Sequence, residues 1–336
     1  MKYHIFTLGC QMNISDSQRI ATKLDELGYR SAPEKEADLV IVNACSVRQK
    51  AVDRIWGKIK IWQTHDKKIL LTGCVLPEDR KKFAEKGIGY SNFHDDKFFD
   101  IIPHFTSRIS YIPIMTGCDN FCSYCAVPYT RGREKSRPMK DIILDVKRAL
   151  QGSSKEILLL GQNVNSYQYG FANLLKEIDK IPGDFKFNFI SSNPHDMTAE
   201  IITTLAQLKK WPHELHLPLQ AGDDKILRKM NRKYTAKQYL KLVSNLKLKI
   251  PASPAGGKNL SLTTDIIVGF PGETKKQFLN TVKICKKIKF NKAFIAQYSP
   301  RPGTLAAKLK DDVPAVEKKR RWLILEKLIN IPKKSS

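Results

Sequence analysis

No apolar run in this chain reaches the roughly 18 residues that a bilayer-spanning helix needs. The opening, MKYHIFTLGCQMN, has neither the long apolar stretch nor the small-residue cleavage site of a secretory signal. Both absences predict no membrane partner and a cytoplasmic location. There is no internal repeat and no low-complexity tract. An even cysteine complement is also missing: the seven cysteines, in a chain without a signal peptide, argue against a disulfide framework and for metal ligation. Acidic residues are scarce, with 33 Asp and Glu against 58 Lys and Arg, a net charge of +25. Such an excess points to a polyanion, because Lys and Arg release the counterions held by phosphates. A merely solvated, lysine-rich surface is the plainer alternative. Basic groups fall on predicted helices at Lys81 and Lys82, Arg228 and Lys229, Arg232 and Lys233, and Lys318 to Arg321.

What is present suits two α/β domains. In the first, Tyr3–Leu8, Asp38–Asn43 and Lys68–Thr72 read as strands. Helical patterns at Asn13–Leu27, Val47–Trp62 and from Pro77 alternate with them. Short apolar strands with crossover helices between them imply a parallel sheet. Asp96–Arg108 reads as a linker. A second series then offers strands at Tyr111–Met115, Glu156–Leu160, Phe185–Ile190, Glu214–Leu217, Ser261–Val268 and Ala293–Gln297. Helical patterns follow at Lys140–Leu150, Ala172–Ile181, Thr198–Lys210, Lys237–Leu248 and Lys275–Ile288. Six βα units fit a partial (β/α)6 barrel better than a flat sheet. Pro251–Lys258 (PASPAGGK) reads as a flexible surface insertion. A basic helix over Val316–Ile329 closes the pattern. The expected domains are 1–105 and 106–336.

Residues Thr116–Tyr129 read TGCDNFCSYCAVPY, placing Cys118, Cys122 and Cys125 in a Cys-x3-Cys-x2-Cys loop just after a strand. Three thiolates hold three irons of a four-iron cube and leave the fourth iron open. An open metal position is what catalysis needs and a closed structural site lacks. The amino and carboxylate groups of S-adenosylmethionine (SAM) suit such an iron, with Tyr124 placed to pack near its adenine. A zinc site is the competing reading, but zinc knuckles pair Cys-x2-Cys units and no second pair exists here. Cys10, Cys45 and Cys74 lie far apart in sequence, yet each sits one or two residues beyond a predicted strand. The carboxyl ends of parallel strands line one edge, where ligands bind, so the three thiols are expected to converge there. Buried small hydrophobes are the alternative reading for free cysteines. Cys285, in the amphipathic pattern VKICKKI, reads as packing.

Taken in order, LGCQMN, NACSVRQKA, LTGC, GCDNFCSYCAVPYTRGRE, LLGQNVNSY, LHLPLQAGDD, TTDIIVGFPGET and SPRPGT resemble the radical SAM methylthiotransferase family along nearly the whole chain. CAVPYTRGRE and LLGQNVNSY resemble the bacterial branch that methylthiolates isopentenyladenosine beside the tRNA anticodon. The resemblance implies an N-terminal α/β domain carrying an auxiliary 4Fe–4S cluster on Cys10, Cys45 and Cys74. It implies a radical SAM barrel with a second 4Fe–4S cluster on Cys118, Cys122 and Cys125. It also implies two SAM molecules: one methylates a cluster-held sulfur, the other yields the radical that activates C2 of the adenine ring. The implied partners are a tRNA anticodon stem-loop and an electron donor such as flavodoxin or ferredoxin, with the enzyme monomeric. Related branches act on threonylcarbamoyladenosine in tRNA or on an aspartate of a ribosomal protein. A non-catalytic iron–sulfur RNA-binding protein is the reading from a different class.

Gln162, Asn163, Gln220 and Asp265 follow or lie on barrel strands, where the carboxyl-terminal face assembles sites, and are expected SAM contacts. Arg131 and Arg133 in YTRGRE are candidate phosphate or SAM partners. Family members usually continue into a small all-β RNA-binding domain of the TRAM type. The sequence here ends after the basic helix, whose charge, from Lys318 to Arg321, is expected to take over part of the grip on tRNA.

Overall fold

Residues 39–45, LVIVNAC, are apolar on both faces of an extended chain, and such a run must be covered on both sides. The computed structural model describes residues 1–45, 49–92, 98–250 and 260–331. In it five strands pair in parallel in the order β2-β1-β3-β4-β5: β1 (Lys2–Thr7), β2 (Arg30–Ser31), β3 (Leu39–Cys45), β4 (Lys68–Cys74) and β5 (Gly89–Tyr90). Alternate side chains of β3 serve opposite layers. Val40, Val42 and Ala44 pack with Val52, Ile55, Ile59 and Trp62 of helix α2 (Gln49–Gln63). Ile41 packs the other way, against Ile20 of helix α1 (Gln11–Glu26) and Phe98. Each such aliphatic burial contributes about 1.5–3 kcal/mol. Helix α3 (Pro77–Ala84) follows β4.

Strands β6 (Ile109–Pro113), β9 (Glu156–Leu160) and β10 (Lys186–Phe189) form one parallel sheet; β11 (Glu214–His216), β12 (Ser261–Val268) and β13 (Lys292–Gln297) form another. Between β6 and β9 a small antiparallel ribbon, β7 (Met115–Thr116) with β8 (Lys135–Ser136), brackets the cysteine loop and the short helix α4 (Val127–Thr130). Helices α5 (Met139–Gln151), α6 (Phe171–Lys180), α7 (Ala199–Leu205), α8 (Asp224–Lys229), α9 (Ala236–Lys249), α10 (Lys275–Ile288) and α11 (Ala315–Ile329) supply the outer layer. This is the expected α/β class, with the six strands arranged as an open partial barrel. Along β12 burial alternates strictly: Leu262, Thr264, Ile266 and Val268 are buried, while Thr263, Asp265 and Ile267 on the opposite face are partly exposed. Cys285 is buried in the barrel core, as packing requires.

Several expectations need correction. The helix expected over Thr198–Lys210 stops at Leu205, because the carboxylate of Asp179 accepts the backbone N–H groups of Lys209 and Lys210. The expected linker is not merely a connection, since Phe98 within it is buried beside Ile20 and Ile41. Cys45 and Cys74 are the last residues of their strands rather than beyond them, and Cys10 lies three residues past β1 as the residue that opens α1. The basic helix α11 does not offer all its charge to solvent. Lys318 pairs with Asp311 at 2.6 Å, Arg321 with Glu273 at 2.7 Å, and both cations are buried. The insertion Pro251–Lys258, the first two residues of the helix expected from Val47 and the first two of the linker expected from Asp96 lie outside the described residues.

Candidate cluster and cofactor site

Parallel register brings Cys45 and Cys74 directly opposite each other at the carboxyl ends of β3 and β4. Cys10 joins this edge through a buried asparagine pair. Asn13 accepts the backbone N–H of Cys10 at 3.2 Å and donates to the Asn43 side chain at 2.9 Å and to the Ala44 carbonyl. Asn43 in turn donates to the Asn13 carbonyl and the Ser17 hydroxyl. Gly73, one residue before Cys74, has φ +90°, and a Cβ there would collide with the Asn43 side chain. The first trio therefore sits on one sheet edge, as its sequence positions suggest.

The second trio occupies the loop from β7 to α4. Gly117 has φ +77° and Phe121 has φ +45°, so two left-handed residues fold the loop back on itself. The Cys125 N–H closes a turn on the Cys122 carbonyl at 2.9 Å. Asn231 donates to the carbonyls of Asn120 and Phe121, and Ser123 donates through its hydroxyl to the Lys229 carbonyl. The loop is thus held by the segment after α8. Arg232 reaches in from that segment. It donates to Cys122 Sγ at 3.2 Å, to Asn193 Oδ1 at 3.0 Å and to the Tyr234 hydroxyl at 3.1 Å.

Burial pushes the Cys74 and Cys118 thiols up, against the pull of Arg131 on the first and of Asn120 on the second. Burial, then the neighbouring Cys122, pushes Cys125 up to about 12. Thiols so placed stay protonated unless a metal displaces the protons, since a coordinating cation inverts the local pKa logic. None of the seven cysteines is in a disulfide. Among the described residues no three His, Cys, Asp or Glu side chains stand close enough to share a single metal ion. One ion draws its ligands to about 2.3 Å, whereas a cube spreads three thiolates over three irons. The donor set, all thiols and three per site, fits a cube and not a lone zinc.

Around the barrel mouth the rim is polar. Asn163 donates to Asp196 at 2.8 Å, and Asn165 and Asn193 exchange two hydrogen bonds at 2.8 Å. Among the described residues Gln162 Oε1, Asn163 Oδ1, Thr116 Oγ1 and Ser192 Oγ are buried without a protein partner. Buried polar atoms of this kind call for a polar ligand. Gln220 is held in the left-handed region at φ +64°, bridged to Ile266; Ser191 at φ +69° is similarly strained. Asp265 lies on the partly exposed face of β12, where His216 stands between its carboxylate at 3.2 Å and the Thr263 hydroxyl at 2.9 Å. Tyr124 packs against the barrel core, and burial raises its hydroxyl well above the ordinary phenol value.

Three arginines carry or break the sequence expectation. Arg131 is not available to a phosphate. It donates to Asp16 at 2.6 Å and to Cys74 Sγ at 2.9 Å and is almost fully enclosed. Arg133 remains exposed, pairs with Asp119 at 2.7 Å and lies over the Phe121 ring. Arg232, expected on a polyanion-binding surface, instead turns its guanidinium toward Cys122. Sequence reasoning does not reach Asn13, Asn43, Asp16, Asn193 or Asp196. Only Asn43 carries a sequence signal, as a polar residue inside an otherwise apolar strand where asparagine is disfavoured.

Residues 112–285 match the Radical SAM superfamily and residues 2–91 the uncharacterized protein family UPF0004. The chain is 38% identical to a tRNA-2-methylthio-N(6)-dimethylallyladenosine synthase of Syntrophomonas wolfei, an alignment spanning 96% of this chain and 80% of that one. A protein of the same name from Dehalococcoides mccartyi is 40% identical, over 97% of this chain and 82% of the relative. In fold the chain is similar to the radical SAM methyltransferase TsrM of Kitasatospora setae, at a TM-score of 0.63 and 12% identity, covering 91% of this chain and 75% of that one. The matches span both cysteine trios and nearly the full length. The chain therefore belongs to the radical SAM methylthiotransferase family, and is a transferase whose cofactors are SAM and two 4Fe–4S clusters.

Proposed function

We propose that this enzyme adds a methylthio group to C2 of N6-isopentenyladenosine next to the anticodon of tRNA. The relatives it matches over nearly its whole length bear the name of that activity. The observation that carries the reading is the physical link between the trios: Cys125 ends one loop and Arg131, one short helix later, donates to Cys74 of the other. We assign the auxiliary cluster to Cys10, Cys45 and Cys74 and the radical SAM cluster to Cys118, Cys122 and Cys125. The division into residues 1–105 and 106–336 follows the same assignment. When bound, these groups supply one-electron cleavage of SAM and the sulfur that is transferred.

The protein's own residues orient and enclose. Arg232 and Asn120 donate to Cys122 and Cys118, Arg131 donates to Cys74, and each donor stabilises a thiolate over a thiol. The unpartnered Gln162, Asn163, Thr116 and Ser192 atoms, together with Gln220 and Tyr124, are the SAM contacts we favour. Asp265, paired with His216 on the partly exposed face of β12, joins them. An adenine C2–H is too weak an acid for ordinary base catalysis, so the side chains position the base and exclude water while a cofactor does the hard step. The base is presented from a loop, where RNA bases unstack readily. Exposed Lys81, Lys82, Arg228 and Lys229 are suited to the phosphates. A cytoplasmic monomer, reduced by a flavodoxin or ferredoxin, completes the reading.

Iron and sulfide content of anaerobically reconstituted protein tests the assignment. Cys10→Ala and Cys118→Ala should each remove about half, independently; no loss in either sinks it. Nucleoside analysis of tRNA from a strain lacking the enzyme tests the substrate. Accumulation of unmethylthiolated isopentenyladenosine is expected; a missing threonylcarbamoyl derivative instead would move the enzyme to a sister branch.

A further inference from the structure

Among the described residues one arginine donates to a sulfur of each trio, and the two arginines are not alike. Arg131 donates to Cys74 Sγ at 2.9 Å, but the Asp16 carboxylate lies 2.6 Å from the same guanidinium, and both side chains are buried. The pair is close to neutral as seen from the sulfur. Arg232 donates to Cys122 Sγ at 3.2 Å, and its other partners are the Asn193 amide oxygen and the Tyr234 hydroxyl. Burial pushes that phenol up to about 12, so it remains uncharged. It also donates to the Leu219 carbonyl at 2.9 Å, which fixes its lone pair toward Arg232. Asn193 is fixed in turn by its exchange of hydrogen bonds with Asn165. Among the described residues no carboxylate forms an ion pair with Arg232. One site therefore has a full positive charge against a ligand sulfur, held by two neutral groups, and the other has a compensated one.

We propose that Arg232 is a positioning residue that directs the reducing electron to the Cys118–Cys122–Cys125 site, while the Arg131–Asp16 pair keeps the Cys10–Cys45–Cys74 site harder to reduce. The inference rests on the cluster assignment made above. One electron leaves a low-potential flavoprotein or iron–sulfur donor, which is oxidised by one electron, and the receiving cluster is reduced by one; no bond is made or broken and no proton moves. The added electron makes the cluster more negative, and charge and hydrogen bonds at the ligand sulfurs set how readily it is accepted. An uncompensated guanidinium favours the reduced form; an ion pair does so far less. The planar fork of arginine also serves Cys122, Asn193 and Tyr234 at once, which a lysine ammonium on a flexible stem does less precisely.

The test is a dithionite titration of the reconstituted full-length protein without SAM, with mediators and electron paramagnetic resonance to follow each cluster. Wild type should reduce the barrel cluster first. Arg232→Gln should lower its reduced fraction at fixed potential about tenfold, equivalent to about 59 mV for one electron, and leave the auxiliary cluster unchanged. Arg232→Lys should retain most of the wild-type value. Asp16→Asn, which uncovers Arg131, should shift the auxiliary cluster toward easier reduction. If Arg232→Gln does not fold, Arg232→Lys and Asp16→Asn carry the comparison. Unmoved potentials in the folded variants, or equal shifts of both clusters, overturn the proposal. Iron and sulfide counts made first on Cys10→Ala and Cys118→Ala separate this failure from failure of the assignment itself.

Discussion

An asparagine inside a buried parallel strand needs partners for every polar atom, and Asn43 finds them on Asn13 and Ser17. Replacing Asn43 by Ala leaves the Asn13 amide with the Ala44 carbonyl alone and one N–H without its partner in a fully buried place. Such an orphan costs about 1–3 kcal/mol, and the denaturant midpoint should fall accordingly. Because Asn13 also holds the Cys10 backbone, iron at the first trio should fall with it; an unchanged iron content would detach the asparagine pair from the site. Gly117→Ala is a sharper change. Its φ of +77° strains any side chain, and a Cβ there would strike the Arg133 carbonyl. We expect loss of iron from the second trio alone, seen as half the iron of wild type, and full iron content would refute it. At this scale the sequence is legible where chemistry imposes residue type: six cysteines at strand ends and in a tight loop. It is silent on the roles of Arg232 and Asp16, because a buried partner is chosen by the fold and not by neighbours in the chain.

Periodicity locates the core strands and nearly all the helices, since each buries an apolar stripe that shows in the sequence. It misses β2 and β5, two residues each, which are too short to display a period. It also misjudges α11. The helix is visible, but its charge reads as outward, and nothing in the sequence says that Glu273 lies under Arg321 from 48 residues away. Glu273 accepts from the Gly269 N–H and from Arg321, fixing the turn between β12 and α10. Burial raises its carboxyl above the ordinary 4.5, against the pull of Gly269 and Arg321. A carboxyl raised in the fold holds its proton more tightly folded than unfolded, so this group's contribution to stability falls as pH climbs above that value. Arg321→Ala removes the opposing cation and raises Glu273 further. The variant should lose about 3–5 kcal/mol near neutral pH and distinctly less near pH ~4, measured as denaturant midpoints at the two values. Equal losses at both would show that Arg321 acts through packing.

The whole molecule carries a charge of +25, and the structure sorts it into cations committed inward and cations left at the surface. Binding of tRNA should weaken steeply with salt. Neutralising exposed Lys81 and Lys82 together should flatten the log–log slope by about one unit for each phosphate no longer engaged, without altering stability. A slope that stays the same would place the tRNA elsewhere. The same sorting crosses between the sheet of the first domain and the barrel. Arg19 pairs with Asp145 at 3.4 Å, Arg131 with Asp16 at 2.6 Å, and Arg301 with Asp79 at 3.5 Å, all with little exposure. Ser15 adds a hydrogen bond to the Tyr111 carbonyl on the first barrel strand. These pairings impose a calendar on synthesis. As the chain leaves the ribosome, Asp16 and Arg19 emerge long before Arg131 and Asp145, and Asp79 emerges long before Arg301. Until then the nascent first sheet carries charges shaped for burial but not yet neutralised, and it stays open to water at Cys74. Of the first trio only Cys74 is buried, so the arrival of Arg131 at its sulfur ends the open access of that one thiol while Cys10 stays at the surface.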